Sequence, residues 1–299
     1  MGRLSDVCDL INSIQKQTYE NIETVLVAEK SKDLFNHLKS FVQKNGFSNI
    51  TIVFNSGIEG LSAARNVGIK LATGEILAFV DDDVSIPTTY VEEVVRTYSL
   101  GDAVIGVTGL ISPNWVDGAL DFFPEEFDWI FSCSHWFPVK EIVEMRNVFG
   151  ANFSFRREAF QTSGLFDTKY GFPYGSFEGN LGEDNEISIR VKHKTGKRIF
   201  YNPNVEVYHK VHTYRFQWRF ILKRSYNMGK SRRLMKQYYF KNEDPLNVER
   251  SLLKRQMISL PIKILNAFAK NPFRGAKMFC VSTMVSSFTA LGYIIGPKR

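Results

Sequence analysis

The sequence predicts an α/β fold, a mostly parallel sheet with helices on both faces, followed by a C-terminal helical tail. Three observations carry that expectation. Amphipathic segments alternate with short apolar runs from the first residues onward, the pattern of a covered parallel sheet. The run ILAFV at 76–80 is continuously apolar and ends in Asp81, Asp82 and Asp83, at the strand end where open α/β sheets bind ligands. Charge is also split along the chain: residues 210–299 hold 19 Lys and Arg against 3 acidic residues, whereas the first 209 residues net −9.

In chain order, Leu10, Ile11, Ile14 and Tyr19 suit an amphipathic helix, followed by a strand at 23–27, a helix at 33–44 and a strand at 49–54. Ser62 then reads as the N-cap of a helix whose Ala64, Val67, Leu71 and Ala72 recur at helical spacing until Gly74 stops it. The run at 76–80 is too short for a helix and reads as a central parallel strand. Another strand is expected at 104–110. Residues 124–136 carry Phe127, Trp129, Phe131 and Trp136, either core or a platform for an acceptor. Residues 147–157 alternate as a strand does, with Gly150 and Asn152 permitting close backbone approach. The glycine-rich stretch 171–182 reads as a loop that orders on ligand binding. It leads into a helix with Glu183, Asp184 and Glu186 in its first turn.

Three adjacent carboxylates beside a core need a balancing cation, unless they simply close a polar turn. Oxygen ligation suits Mn²⁺ or Mg²⁺, shared with the phosphates of a nucleotide. Arg65 and Asn66 in the preceding helix add a cation and an amide next to those carboxylates.

With 299 residues and 44% hydrophobic composition, the chain can bury one substantial core and a second small module. Cys8, Cys133 and Cys280 form no C-x-x-C pair and read as buried free thiols of a reducing compartment. The polar, mixed start lacks a secretory leader, which places the fold at the cytoplasmic face. The basic tail suits anionic lipid or a phosphate-bearing substrate. Nucleic acid is not expected, because no zinc-finger spacing or RNA-binding signature accompanies the charge. Arg215, Arg219, Lys223, Arg224, Lys230, Arg232 and Arg233 fall on a basic helical segment at 213–255. Beyond it, 257–269 suits an interfacial helix, and 278–296 is an uncharged run near the minimum length for a membrane span. The expected division is thus a catalytic domain at 1–212, the basic segment at 213–255 and an apolar, membrane-associated tail at 256–299.

Gly60, Ser62, Ala64, Arg65, Asn66 and Gly68, then the apolar strand and the Asp81–Asp82–Asp83 triplet, match in order the G-x-S-x-A-R-N-x-G and D-x-D elements of family 2 glycosyltransferases. The chain resembles that family from about residue 4 to 240. The resemblance implies the GT-A, Rossmann-like fold, with Asp83, Asp81 and His209 as ligands to Mn²⁺ or Mg²⁺. It places Glu29, Arg65, Asn66, Asp81 and Asp82 at a UDP-sugar donor, although Glu29 would equally serve as a solvated turn residue. It also implies Asp184 as general base, Glu183 as its orienting or acceptor-binding partner, and a single displacement with inversion. Members of the family begin with a buried strand ahead of the first helix, so that first strand is expected to be missing from the sheet. His212 is a further, weaker ligand candidate. Gln217-Trp218-Arg219 lacks the spacing found in processive synthases, which suits single addition.

The stretches beginning at Pro124, Arg146 and Tyr208 resemble archaeal glucosyl-dolichyl phosphate glucuronosyltransferases. That closer resemblance implies transfer of glucuronic acid to a lipid-linked saccharide, carried on dolichyl or polyprenyl phosphate, at the membrane. Three alternatives stand beside it: transfer of another hexose or N-acetylhexosamine in cell-surface polysaccharide synthesis, nucleotidyltransfer, and an inactive membrane-bound partner.

Overall fold

The computed structural model describes residues 2–137, 139–171, 182–238 and 247–296. They form two compact units, one of residues 1–114 and 137–210, the other of residues 115–136 and 211–299. The basic segment and the apolar tail share a unit, and 115–136 joins them.

The elements run α1 (Gly2–Ile14), β1 (Thr24–Glu29), α2 (Lys32–Lys44), β2 (Ile50–Asn55), α3 (Leu61–Leu71), β3 (Ile76–Val80), β4 (Val84–Ser85), α4 (Tyr90–Tyr98) and β5 (Val104–Trp115). After a 3-10 helix at Glu125–Phe131 come β6 (Val143–Met145), β7 (Asn152–Arg156), α5 (Arg157–Ser163), α6 (Glu183–Thr195) and β8 (Arg198–Val211). Three long helices follow: α7 (Trp218–Tyr238), α8 (Asn247–Lys270) and α9 (Pro272–Ile295).

The early alternation of helix and strand falls where the apolar periodicity puts it. Strand direction does not. β1 and β2 pair in parallel as a two-stranded sheet, while β3 belongs to a second sheet of order β3-β7-β5-β8-β4, with β6 on β8. There β7 runs antiparallel to both β3 and β5, and β8 antiparallel to β4 and β6. The architecture is therefore a mixed-sheet α/β fold, and β3 ends a row of strands where a central parallel strand was expected. Apolarity reports burial and is silent on partner or direction. The parallel pair and β3 lie in separate sheets, and Ala78 in the middle of β3 is exposed.

In the core of the first unit, Phe79 stacks on Phe153 at 4.8 Å between ring centroids, with Phe160 and Phe166 edge-on to Phe79. Asn152 is buried among the strands. Its Nδ2 donates to the carbonyls of Leu110 and Val205, and its Oδ1 accepts from the Tyr90 hydroxyl. Sequence reading gave Asn152 only a role in close approach; here it cross-links three neighbouring strands. A buried amide with all of these partners stabilises the sheet, and unpaired it would cost free energy.

In the second unit, Phe127, Ile130 and Phe131 of the 3-10 helix pack with Val211, Ile221, Leu260, Val281 and Val285. The aromatic stretch is thus core, and the apolar tail enters that core. Of the three free thiols only Cys133 is buried; Cys8 is half-buried and Cys280 exposed, against the expectation that all are buried.

Candidate active site

β3 delivers Asp81, Asp82 and Asp83 to its carboxyl end, and the two residues of β4 fix what they face. Val84 pairs with His209 and Ser85 with Tyr208, and the Lys210 N–H donates to the Asp83 carbonyl at 2.8 Å. That short ladder sets His209 Nε2 3.3 Å from Asp83 Oδ1, with the imidazole 1% exposed. Its Nδ1 is buried without a hydrogen-bond partner. Two of the three expected metal ligands therefore meet. The third, Asp81, leans toward Arg65 at 3.6 Å. Among the described residues, no group of three or more His, Cys, Asp or Glu side chains is assembled to hold an ion.

Asp82 lies in the turn between β3 and β4 and pairs elsewhere. Its Oδ2 accepts from Arg3 Nε of α1 at 2.7 Å, an ion pair. Burial pushes the Asp81 carboxyl up to about 7; Arg65 opposes the shift, and Asp83, Asp82 and Glu183 add to it. A buried carboxyl with acidic neighbours on this side suits a divalent cation, which would offset both the burial and the like charge.

Arg65 was expected to meet phosphate. It is instead an internal junction, 9% exposed. Nη1 donates to Glu183 Oε1 at 3.1 Å and Nη2 to the Gly150 carbonyl at 2.8 Å, and the guanidinium carbon lies 5.0 Å from the Phe153 ring centre. Asn66 is likewise engaged: its amide makes a two-way pair with the Phe166 backbone, at 2.8 and 2.9 Å. Glu29 Oε2 accepts from the Gly60 N–H at 3.1 Å and from Asn55 Nδ2 at 3.4 Å, joining the end of β1 to the start of α3. These contacts hold the loop that begins α3. That helix starts with Gly60 at its N-cap, at φ 129, where a side chain would be strained. Ser62, expected as the cap, is buried inside the helix and donates to the Tyr170 carbonyl at 2.6 Å.

α6 opens after Gly182, whose φ of 102 is left-handed, with Glu183 and Asp184 in its first turn. Glu183 is buried and paired to Arg65. Asp184 Oδ1 accepts from the Asn185 N–H at 2.9 Å. A Cβ on Gly150 would sit 3.2 Å from Asp184 Oδ2, so the glycine leaves room for this carboxylate. Burial, then the charge of Glu183, push the Asp184 carboxyl up to about 7. A carboxylate with that affinity for protons suits a general base at neutral pH. Ser188 escaped the sequence reading: its hydroxyl donates to the Asp184 carbonyl at 2.6 Å and accepts from the Val148 N–H at 3.2 Å. Its place one helical turn after Asp184 was the available signal. The expected glycine-rich loop lies, from 172 to 181, outside the described residues.

Residues 3–164 match the family described as Glycosyl transferase family 2. The chain is similar, at 29% identity over 99% of its length and 93% of the relative's, to a glucosyl-dolichyl phosphate glucuronosyltransferase of Haloferax volcanii. Its fold resembles that of a mannosyltransferase from Pyrobaculum calidifontis solved with GDP-Man and Mn²⁺, at TM-score 0.63 and 16% identity over 98% of this chain and 84% of that one. It also resembles GalNAc-T7 solved with UDP, GalNAc and Mn²⁺, at TM-score 0.52 and 17% identity over 82% of this chain and 51% of that one. The fold is thus GT-A-like, and with its match covering more than half of the chain, this protein belongs to glycosyl transferase family 2, as a hexosyltransferase that uses a nucleotide-sugar donor.

Proposed function

We propose that the protein transfers a hexose or N-acetylhexosamine from a UDP-sugar to a lipid-linked saccharide, with inversion, in the assembly of a cell-surface glycan. One observation carries the reading. The buried Arg65 guanidinium joins the acidic end of β3, through Asp81, to the Glu183–Asp184 turn of α6, so the donor-binding and proton-accepting groups belong to one site. In this reading Asp184 accepts the proton of the acceptor hydroxyl, Glu183 and Arg65 hold α6 in place, and the single base implies one displacement. Asp83 and His209, with Asp81 as third candidate, would hold Mn²⁺ or Mg²⁺, which would offset the charge of the departing diphosphate. The raised proton affinity of Asp81 among its acidic neighbours supports this fit. Glu29 remains a candidate for the nucleotide base.

A second reading specifies glucuronic acid as the sugar and a dolichyl or polyprenyl phosphate glucoside as acceptor. The full-length similarity to the Haloferax volcanii enzyme favours it. The structural relatives were solved with other sugars, mannose and GalNAc, so the broader statement comes first. The exposed apolar residues of α8 and α9 support a membrane location, and a nucleotide-sugar donor suits its cytoplasmic face. Incubation with separate labelled UDP-sugars, including UDP-glucuronate, and a short polyprenyl-phosphate glucoside tests both readings by product analysis. Labelled lipid-linked product is expected with inverted anomeric configuration; nucleotide attached to the acceptor would indicate nucleotidyltransfer. Asp83→Ala should abolish the Mn²⁺-dependent part of UDP binding in calorimetry, and unchanged affinity would remove Asp83 from the site.

A further inference from the structure

The second unit displays an apolar stripe for which sugar transfer has no use. On α8, Met257, Ile258, Ile262 and Leu265 are exposed, Met257 at 76% and Leu265 at 67%. Their spacing puts them along one side of the helix, while Leu260 and Ala267 are buried. Phe273, 78% exposed, carries the stripe into the start of α9. Lys270, Arg274 and Lys277 are exposed alongside. Exposed apolar area of this extent, edged by cations, is the pattern of a surface that meets anionic lipid.

The 24 residues of α9 are long and apolar enough to cross a bilayer, yet one face of the helix is held by protein along its length, while Phe279, Leu291, Ile294 and Ile295 are exposed on the rest. Near its start, Arg274 Nε and Nη2 donate to the Asp121 carbonyl at 2.9 and 2.7 Å. In its middle, Val281 and Val285 are fully buried in the aromatic core. Near its end it lies against α7 with almost no space between backbones. A Cβ on Gly229 would meet the Thr289 carbonyl oxygen at 1.9 Å, and one on Gly292 the Tyr226 carbonyl oxygen at 2.0 Å. Arg233 also donates to the Tyr293 carbonyl at 2.9 Å. α7 carries Lys223, Arg224, Lys230, Arg232, Arg233 and Lys236. To cross a bilayer, α9 would have to break this packing or draw α7 into hydrocarbon, where each charge is costly.

We infer that the second unit binds the surface of an anionic bilayer in its plane. The α8 stripe and Phe273 enter the boundary between headgroups and acyl chains, and α9 keeps its buried face, with Val281 and Val285, on the protein and does not cross the bilayer. This deepens the lipid-linked acceptor reading, on which its purpose rests, because an enzyme lying on the bilayer meets an acceptor confined to that surface.

The test uses the full-length chain with phosphatidylcholine vesicles, with and without phosphatidylglycerol, and with neither donor nor acceptor present. Co-sedimentation with the anionic vesicles and release by alkaline carbonate are expected. Ile262→Glu with Leu265→Glu changes two outward side chains, so the circular dichroism should be preserved while bound protein falls about tenfold or more. With Cys8 and Cys280 replaced by serine, a polarity-sensitive dye on Ile262→Cys should shift to the blue on vesicles, and the same dye on Ser286→Cys should not reach the depth of the bilayer centre. Deep burial of the Ser286→Cys dye with resistance to carbonate would overturn the inference in favour of a crossing helix. Failure to bind vesicles would also overturn it, and a doubled mass in light scattering would then assign the stripe to a second copy of this chain. No sugar transfer is measured, so loss of this inference leaves the transferase reading intact, and a soluble acceptor would leave vesicle binding intact.

Discussion

Arg65 and Asp184 show how side chains more than a hundred residues apart make one electrostatic unit. The guanidinium sits between Glu183 and Asp81, at 3.1 and 3.6 Å, and is 8% exposed at its side chain. Removing one partner of such a buried pair costs about 3–5 kcal/mol, because the other charge is stranded. Arg65→Met should therefore lower the melting temperature strongly. Arg65→Lys, which keeps the charge but cannot reach Glu183 and Gly150 together, should lose turnover while UDP affinity in calorimetry stays near wild type; an equal loss of UDP affinity would return Arg65 to the phosphates. Asp184→Asn keeps the shape of the base and removes its function, so turnover should fall by roughly 10² to 10⁴ with donor binding preserved. The pH profile follows from the raised proton affinity of this carboxyl, about 7. Below that value the base is protonated, so kcat/KM should rise with pH until about 7 and then level off. Stability has the opposite sign. A carboxyl that holds its proton more tightly when folded favours the fold most below its ordinary value of 3.8, and that contribution is lost as pH rises through about 7. Denaturant titrations of wild type and Asp184→Asn between pH 4 and 8 should differ by this slope. The place of Asp184 in the first turn of α6 was legible in the sequence, because an acidic run follows a glycine-rich stretch there. The role of Arg65 was not: its partner Glu183 lies 118 residues away, and an arginine beside three aspartates looks the same whether it faces phosphate or protein.

Elements were legible to different degrees for a physical reason. Periodicity of 3.6 or a short apolar run identifies a helix or a buried strand locally, and α2, β2 and α3 fall close to their expected bounds. Pairing is a non-local property. The partner of β3 is β7, matched as Val80 to Asn152 and Ile76 to Arg156, and nothing within ILAFV distinguishes that antiparallel neighbour from a parallel one. The same limit applies to β4, only two residues long, which carries no periodic signal and yet aligns Asp83 with His209. Close contact of β5 and β8 provides a test at this scale. A Cβ on Gly109 would lie 1.7 Å from the Val205 carbonyl oxygen, too close for any side chain to be accommodated without moving a strand. Gly109→Ala should thus destabilise the first unit by about 1–3 kcal/mol or more. Chemical denaturation measures this, and a melting temperature equal to wild type would show that β5 and β8 can separate locally.

At the scale of the whole molecule, the asymmetry of charge identified a distinct C-terminal part, and its apolar helix is consistent with the expected membrane association, but the core that one face of it enters was not visible. Residues 278–296 look like a segment without a core, because valines four apart on a helix meet lipid or protein equally well by sequence. The aromatic partners lie at 122–131, far earlier in the chain. In the structure Val281 and Val285 are fully buried with Phe127, Phe131 and Ile221, and Thr289 and Gly292 contact the backbone of α7. Deleting 278–296 should therefore do more than release an anchor. Each buried valine contributes about 1.5–3 kcal/mol in burial alone, and the exposed aromatic core left behind would make the second unit lose its fixed packing. The expected result is a truncated chain with weakened near-ultraviolet dichroism and rapid trypsin cleavage at the lysines and arginines of 219–236, while the first unit, with its own core around Phe79 and Phe153, still binds UDP. A truncated protein that resists trypsin across that segment as wild type does would show that α9 is dispensable to the second unit, and its valines would then be accounted for by lipid.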